Sequence, residues 1–211
     1  MERIILTNLN VQEAVARAAA VLRGGGVILY PTDTLYGLGA DAFSDAAVAK
    51  IYDIKKRDEK KPIHCIVADM AMAEQFGELD ERARTLADTF LPGPLTIVVR
   101  KKTDVTTGIG AGITTLGIRI PENDFCLALA RRFGKPYTTT SANVSSAPQQ
   151  RRLEEILAQL GENARLIDLV IDAGELPVRL PSTIVDVSSQ KIEILREGMI
   201  STSRINQALG I

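Results

Sequence analysis

The sequence predicts an α/β protein whose sheet is mixed. Apolar stretches at helical spacing alternate with short apolar runs of strand length along most of the chain. Three strand-like runs then follow one another near the C-terminus, which requires hairpin connections and therefore some antiparallel pairing. With 211 residues, 45% of them hydrophobic, the chain is long enough for one aliphatic core. We therefore expect a single domain over 1–211, with its core at about 8–200.

The elements follow in order along the chain. A first helix begins at Asn10 as its cap and ends at the glycines of 24–26, and a buried strand at 27–31 comes next. A second helix covers 44–57, and we expect Asp45 to cap it. The remaining predicted elements are strand 61–69, helix 80–90, strands 93–101 and 115–121, helix 124–134, strand 135–141, helix 151–161, strands 166–174, 182–188 and 191–198, and a short appended helix at 201–210.

Composition limits the classes of function. The net charge is −1, so the chain as a whole does not attract nucleic acid, and any anion site must be local. Cys65 and Cys126 lie in apolar stretches and are expected to be reduced thiols. One histidine, His64, and two scattered cysteines cannot build a tetrahedral zinc site of the usual type. A histidine-assisted nucleophile would have to use His64.

The N-terminal sequence and the hydropathy pattern predict the cellular compartment of the protein. No apolar run behind a basic start indicates a signal peptide, and no stretch approaches the roughly 18 apolar residues of a membrane span. We therefore expect a cytoplasmic protein with no membrane partner.

Positive charge is concentrated in three places. The segment 55–61 reads KKRDEKK, and such a run is usually a solvated face. Here it joins a helix to a buried strand, where it could instead neutralise a polyphosphate. Arg119 stands inside an apolar strand and Arg196 at the end of another. Arg119 either points to solvent or meets a carboxylate, which arginine binds better than lysine.

Hydroxyl side chains are concentrated in loops after strands. The segment 30–42 reads YPTDTLYGLGADA, which taken alone is most simply a tight strand-to-helix turn. Segments 138–146 (TTTSANVSS) and 181–183 (PST) are rich in the same residue types. These loops are either local turns or walls of one site. Phosphates and a small carboxylate suit such a set, by positioning and charge neutralisation rather than by a covalent nucleophile.

Seven motifs in order resemble the YrdC/Sua5/YciO family. They are PTDTLYGLGADA, the K-x-R at 55–57, PGPLTIVV, GIRIP, SANVSS, PSTIVDV and LREG, and they span about 8–200. The resemblance implies a twisted, mostly parallel sheet flanked by helices, with an open basic cavity. It implies synthesis of L-threonylcarbamoyladenylate from L-threonine, bicarbonate and ATP with release of pyrophosphate. Mg²⁺ would assist, held by phosphates and water rather than by a protein metal site.

The product of that reaction would feed the t6A modification of tRNA, through a downstream threonylcarbamoyl-transfer complex. The resemblance also implies roles for the residues of this chain that stand at the matching motif positions. Threonine would contact Thr34, His64, Arg119, Ser141 and Ser182; ATP would contact Lys55, Arg57, Lys61, Thr115, Asn143, Arg151 and Arg196; and Lys55 and Arg57 would be catalytic.

The chain also departs from the family pattern. Lys61 stands where the Sua5 pattern has asparagine, the usual histidine falls at Ile66 rather than His64, and Ser146 replaces a usual glycine. We expect no C-terminal Sua5 domain. Two alternatives stay open: a module of this fold that binds tRNA or double-stranded RNA without the synthase step, and, ranked last, the carbamoyl-adenylate chemistry of hydrogenase-maturation or carbamoyltransferase relatives.

Overall fold

A computed structural model describes all residues, 1–211, and confirms the α/β class. The strands are β1 (Glu2–Ile5), β2 (Ile28–Pro31), β3 (Tyr36–Gly39), β4 (His64–Ile66), β5 (Gly77–Glu78), β6 (Leu95–Lys101), β7 (Thr115–Arg119), β8 (Tyr137–Ser141), β9 (Leu169–Asp172), β10 (Thr183–Asp186) and β11 (Glu193–Arg196). The helices are α1 (Val11–Arg23), α2 (Asp45–Lys55), α3 (Met70–Phe76), α4 (Glu81–Phe90), α5 (Asp124–Phe133), α6 (Leu153–Leu160) and α7 (Thr202–Leu209). Every helix and strand predicted from the sequence is present, shortened by no more than about three residues at either end.

Four short elements were not predicted: β1, β3, α3 and β5. Strand β3 is the most instructive, because the sequence YGLG favours a turn. Its glycines lie against the ring of Tyr30 on the neighbouring strand, and a Cβ at Gly39 would stand 2.9 Å from that ring. The chain therefore makes a hairpin from β2 to β3 where the simplest interpretation was a turn into a helix.

The helix caps differ from expectation at two positions. Ser44, not Asp45, caps α2, because its hydroxyl accepts a hydrogen bond from the amide of Ala47. Asp45 is instead the first residue of the helix and accepts from the amide of Gly108 at 2.5 Å. Asn10 precedes α1 as expected, but its side chain bonds Thr7 and the Ile5 carbonyl and does not cap the helix.

The strands form one mixed sheet in the order β1-β9-β2-β3-β8-β4-β7-β6-β10-β11, with β5 beside β6. Pairs β1–β9, β2–β9, β4–β7 and β6–β10 are parallel, and the other six pairs are antiparallel. The expectation of a mixed sheet is confirmed, but the expectation that it is mostly parallel is wrong. Hairpins β2–β3 and β10–β11 and the return of β8 between β3 and β4 supply four of the antiparallel pairs, and β6 supplies the other two, with β5 and β7.

Helices cover the two faces of the sheet unequally. Helices α1 and α5 pack on one face, against a 17-residue cluster that includes Ile28, Tyr30 and Tyr137. The other face carries a 36-residue cluster with apolar residues of α2, α4, α6 and α7. Two helices do not span the sheet, so part of the first face, on β4, β7, β6 and β10, is left open. No helix of the chain is long and apolar enough to cross a bilayer.

Candidate functional site

The open part of the sheet face forms a cavity of about 310 Å³. Strand alternation decides what lines it, since successive side chains point to opposite faces. On β7, Leu116 and Ile118 enter the larger core, whereas Arg119 points into the cavity. On β4, Cys65 is core and His64 lines the cavity. The cavity is thus the polar face of strands whose opposite face is core.

The lining of the cavity is cationic. Arg57, Lys61, Arg119 and Arg196 contribute to it, and no aspartate or glutamate does. Four cations in one concave site attract anions strongly even though the whole chain carries a net charge of −1. Burial, together with the nearby Arg119, lowers the pKa of Arg196, and burial lowers the pKa of Arg57. Burial and, at Arg196, repulsion from Arg119 therefore make these cations favourable partners for an anion.

Arg119 is held by the PTDT loop that follows β2. Its Nη2 donates to Asp33 Oδ1 at 2.6 Å, and its Nη1 donates to Thr34 Oγ1 at 3.1 Å. The Nε points at the Gly93 carbonyl at 3.5 Å. An arginine has five N–H donors, so one on each terminal nitrogen has no protein partner. Both side chains of the ion pair are 5% exposed, which fixes the guanidinium at the cavity wall.

Hydroxyl groups form two further parts of the wall. Ser182 precedes β10, and its hydroxyl lies 3.3 Å from that of Thr96 on β6. Arg196 donates to the Ser182 carbonyl at 2.8 Å and to its hydroxyl at 3.2 Å. Ser141, at the end of β8, donates to Asn143 Oδ1 at 2.6 Å. The loops 138–146 and 181–183 therefore do meet at one cavity.

The basic segment after α2 folds back over the cavity mouth. Lys56 ends the helix with a left-handed backbone (φ 48°), which turns the chain toward β4. Arg57 then donates to the carbonyls of Lys61 and Pro62, at 3.3 and 3.0 Å. These bonds hold the guanidinium at the cavity, and Lys61 lines the cavity beside it.

Lys55 and Asn143 lie behind the wall rather than in it. The ammonium of Lys55 donates to the Ser141 carbonyl, to the Asn143 carbonyl at 2.9 Å and to Asn143 Oδ1 at 3.1 Å. Asn143 also donates to the Ala147 carbonyl at 2.7 Å. Burial and the neighbouring Arg57 lower the pKa of Lys55 to about 7. Lys55 thus fastens the 141–147 loop to α2 and does not reach the cavity.

Two other sequence-predicted residues also lie off the cavity. Thr115 starts β7, on the same face as Arg119 but four residues away, and is not in the lining. Arg151 bonds the Leu176 carbonyl at 3.1 Å and pairs with Glu175 at 2.9 Å. Ser146 has a left-handed backbone (φ 68°), which explains why glycine suits that position in the resemblance.

Several lining residues were missed by sequence reasoning. By strand alternation, Thr96 shares the sheet face of Arg119, and Thr139 shares the face of Ser141. That alternation was a usable signal, once the cavity face of each strand was known. Thr32 and Gln149 come from irregular segments, where no periodicity marks them, and Thr140 lies within β8 at a position that alternation assigns to the opposite face from Thr139. No group of three or more histidine, cysteine, aspartate or glutamate residues is placed to hold a metal ion.

The fold and the cavity define an α/β protein with one concave site, lined by cations and hydroxyl groups, that suits an anionic ligand. The family Sua5_yciO_yrdC, described as "Telomere recombination", matches residues 20–198. The chain therefore belongs to the Sua5/YciO/YrdC family, as its motifs predicted.

Named relatives are similar over most of the chain. A threonylcarbamoyl-AMP synthase of Bacillus subtilis is 35% identical over 93% of this chain and 56% of its own length. A putative threonylcarbamoyl-AMP synthase of Methanocaldococcus jannaschii is 35% identical over 86% of this chain and 84% of its own. The crystal structure of P. abyssi Sua5 complexed with L-threonine is 30% identical, with a TM-score of 0.87 over 99% of this chain and 60% of that one. The chain thus spans little more than half the length of some relatives.

Proposed function

We propose that this chain is an L-threonylcarbamoyladenylate synthase, which makes its product from L-threonine, bicarbonate and ATP and releases pyrophosphate. One observation carries the proposal. Arg119 has two unused N–H donors at a wall that also holds Thr34 and, opposite, the Ser141 and Ser182 segments. A guanidinium flanked by hydroxyls suits the carboxylate and side chain of threonine. The relatives named as synthases support the same substrate.

The triphosphate of ATP belongs at the remaining cations of the cavity. Arg57, Lys61 and Arg196 line it without a carboxylate to compete for them. Thr115, Asn143 and Arg151 remain proposed nucleotide contacts, and they lie outside the cavity lining. For Lys55 we favour a positioning role, because its ammonium already has three acceptors and holds Ser141 and Asn143 in place.

The reaction needs alignment more than a protein nucleophile. The threonine amine and bicarbonate form a carbamate, and a carbamate oxygen attacks the α-phosphorus while pyrophosphate leaves. Arg57 and Arg196 would stabilise the charge that develops on the phosphates. Mg²⁺ would arrive with ATP and screen its phosphates, because the lining offers no carboxylate ligand.

The proposal also covers the fate of the product and the cellular compartment of the protein. Threonylcarbamoyladenylate is a mixed anhydride, so a downstream transfer complex must take it to tRNA for t6A modification. Both cysteines are free and buried, as suits a reducing compartment, and we place the protein in the cytoplasm.

Pyrophosphate release tests the proposal. The protein is incubated with ATP, Mg²⁺, bicarbonate and L-threonine, and we expect release well above that with L-serine or L-alanine. The adenylate product is identified by mass spectrometry. Absence of threonine-dependent pyrophosphate from folded protein would refute the proposal.

Substitution of Arg57 locates the reaction in this cavity. Arg57→Ala should reduce turnover at least about 100-fold, because it removes a charge-stabilising donor. Arg100→Ala is the matched control, since Arg100 is exposed on the far end of β6. Equal activity of the two variants would remove Arg57 from the site.

Binding of tRNA or double-stranded RNA without synthase activity is the second candidate. The cationic cavity mouth favours it, since phosphate contacts dominate RNA affinity. A filter-binding measurement at two salt concentrations distinguishes the candidates: the RNA module binds RNA and releases no pyrophosphate.

A further inference from the structure

His64 stands at the centre of the cavity floor. It pairs in register with Thr139 of β8, and its ring lies over Gly117 of β7, where a Cβ would be 2.3 Å from the imidazole Cδ2. Arg119 follows Gly117 by two residues on β7. Ser141 follows Thr139 by two residues on β8, which runs in the opposite direction. Arg119 and Ser141 therefore lie on opposite sides of His64, each about 6–7 Å away along the strand direction. The ring lies between the carboxylate anchor and the hydroxyl wall.

The imidazole has no partner within the protein. No side-chain nitrogen of the chain is buried without a hydrogen bond, so the unpartnered nitrogens of His64 must open onto the cavity that the residue lines. A structural histidine in a core normally uses its ring nitrogens within the protein. His64 instead presents both nitrogens to whatever occupies the cavity.

The charged groups that line the cavity with His64 are all positive. They are Arg119 on β7, Arg196 on β11, and Arg57 and Lys61 in the segment after α2, whereas β8 contributes hydroxyl groups. Asp33 does not line the cavity and is paired with Arg119. Burial, followed by Arg196, Arg57 and Arg119, lowers the pKa of His64 to about 4. With that pKa the imidazole is neutral at pH 7 and holds a proton poorly.

We propose that His64 is the proton acceptor for carbamate formation, and that it becomes effective only when a polyphosphate lies against the cavity arginines. The proposal rests on the synthase function proposed above. Burial keeps a proton off the ring and remains when the ligand binds, but the polyphosphate neutralises Arg57 and Arg196 and places negative charge in the same cavity, which favours the imidazolium. ATP binding therefore prepares the base, so that the threonine amine is activated only when the phosphate acceptor is present.

The threonine ammonium gives one proton to His64 and becomes a free amine. The amine nitrogen then bonds to the bicarbonate carbon, the C–OH bond breaks, and the hydroxide leaves as water with a second proton from nitrogen. The carbamate carries the single negative charge of bicarbonate. When pyrophosphate leaves, the arginines are again uncompensated and the imidazolium returns its proton to water.

The single histidine of the chain permits a direct test by NMR. The Cε1–H signal of His64 is titrated in the free protein and in saturating inorganic triphosphate. We expect a midpoint near pH 4 in the free protein, rising by about one unit or more with triphosphate. Arg100→Ala should titrate like the parent. An unchanged midpoint with triphosphate bound, or failure of triphosphate to bind, would overturn the proposal.

Kinetics separates proton transfer from a structural role. His64→Gln should lower kcat for pyrophosphate release about 10²- to 10⁴-fold at neutral pH. The deficit should shrink to less than about tenfold near pH 9.5, where much of the threonine is already free amine. The KM for ATP should stay within about threefold, because glutamine keeps the polar group and the arginines are untouched.

The two measurements keep the proposals distinguishable. A deficit that is constant with pH would assign His64 to positioning and overturn its role as proton acceptor. A parent protein without threonine-dependent pyrophosphate would refute the synthase function, whereas the NMR titration would still decide whether polyphosphate controls His64.

Discussion

Arg119 shows how a single residue prepares a binding site. Its guanidinium is buried, and the charge is tolerated because Asp33 Oδ1 lies 2.6 Å away. A buried ion pair costs desolvation that its partner only partly repays, and breaking one is expensive. Asp33 therefore stabilises the cation for which we propose a second, external carboxylate partner.

Replacing Asp33 tests this dependence. Asp33→Asn should lower the free energy of unfolding by roughly 3 kcal/mol, because it leaves the Arg119 charge buried without a carboxylate. L-Threonine should restore part of the loss, since its carboxylate replaces the missing charge. Urea unfolding with and without L-threonine measures both effects. The exposed Asp104→Asn is the control, and equal stability of the two variants would contradict the prediction.

His64 gives a prediction for pH. Its pKa is lowered to about 4 in the folded protein, against about 6.5 in an unfolded chain. Between these values the unfolded chain binds the extra proton, so stability falls as the pH is lowered from 6.5 to 4, by about 3 kcal/mol. His64→Gln should lack this component.

Unfolding in urea at about pH 7 and pH 4.5 isolates the effect as the difference between parent and His64→Gln. Carboxylates titrate in the same range but cancel between the two proteins. A difference that does not change with pH would contradict the lowered pKa of His64.

Prediction from sequence succeeded at the residue scale where chemistry alone decides. A strand arginine, a basic segment and hydroxyl loops indicated anion binding, and those groups do line one cavity. Lys55 shows the limit. Nothing in KKRDEKK distinguishes a lysine that points inward to three oxygen acceptors from one that points at a ligand. That distinction depends on where the 141–147 loop lies, which is a tertiary fact.

Among the elements, strand β7 couples the core to the site by alternation. Leu116 and Ile118 pack in the larger core, while Gly117 and Arg119 face the cavity. Gly117 provides the space for the imidazole of His64, because a Cβ there would stand 2.3 Å from its Cδ2. The glycine serves a steric purpose in a strand, where it otherwise weakens pairing.

A double-mutant cycle tests that steric match. Gly117→Ala should cost about 1–3 kcal/mol of stability, since the methyl group overpacks against the ring. In a His64→Ala background the same substitution should cost less than about 1 kcal/mol, because the ring is gone. Urea unfolding of the four proteins gives the coupling. Equal costs in both backgrounds would show that the ring does not occupy this space.

Helices and strands were predictable from the sequence where their hydrophobic pattern extended over many residues. Helix α5 and strand β6 carry clear periodicity and were placed almost to the residue. Strand β3 was missed because its two glycines read as a turn, and their role appears only when Tyr30 packs on them. Strand β3 adds two antiparallel pairs, one on each side, and with them antiparallel pairs outnumber parallel ones in the mixed sheet.

At the scale of the whole molecule, strand order creates the site. Strands β4, β7, β6 and β10 are neighbours in the sheet although the chain visits them far apart. This order brings Arg57, Arg119 and Arg196 together. Periodicity predicts which face of a strand is polar but not which strands are adjacent. The resemblance to the family supplied that information, because its motifs already implied a common cavity.

The assembled charge predicts how ligands affect global stability. Uncompensated cations in the cavity disfavour the folded empty state, so a polyphosphate should stabilise the protein by binding only the folded form. At 100 times its dissociation constant, MgATP should add about 2.7 kcal/mol. For a chain of this size that corresponds to a rise in Tm of roughly 5–10 °C.

L-Threonine should raise the Tm further when MgATP is present, since the two ligands occupy adjoining parts of one cavity. Differential scanning calorimetry with each ligand and with both measures the increments, and the Arg57→Ala variant should lose most of the MgATP increment while keeping that of L-threonine. The loss should be specific, because we propose that Arg57 contacts the phosphates and Arg119 the threonine carboxylate, and both line the cavity. If Arg57→Ala lost both increments equally, the cavity would be one undivided anion site rather than two adjoining ones.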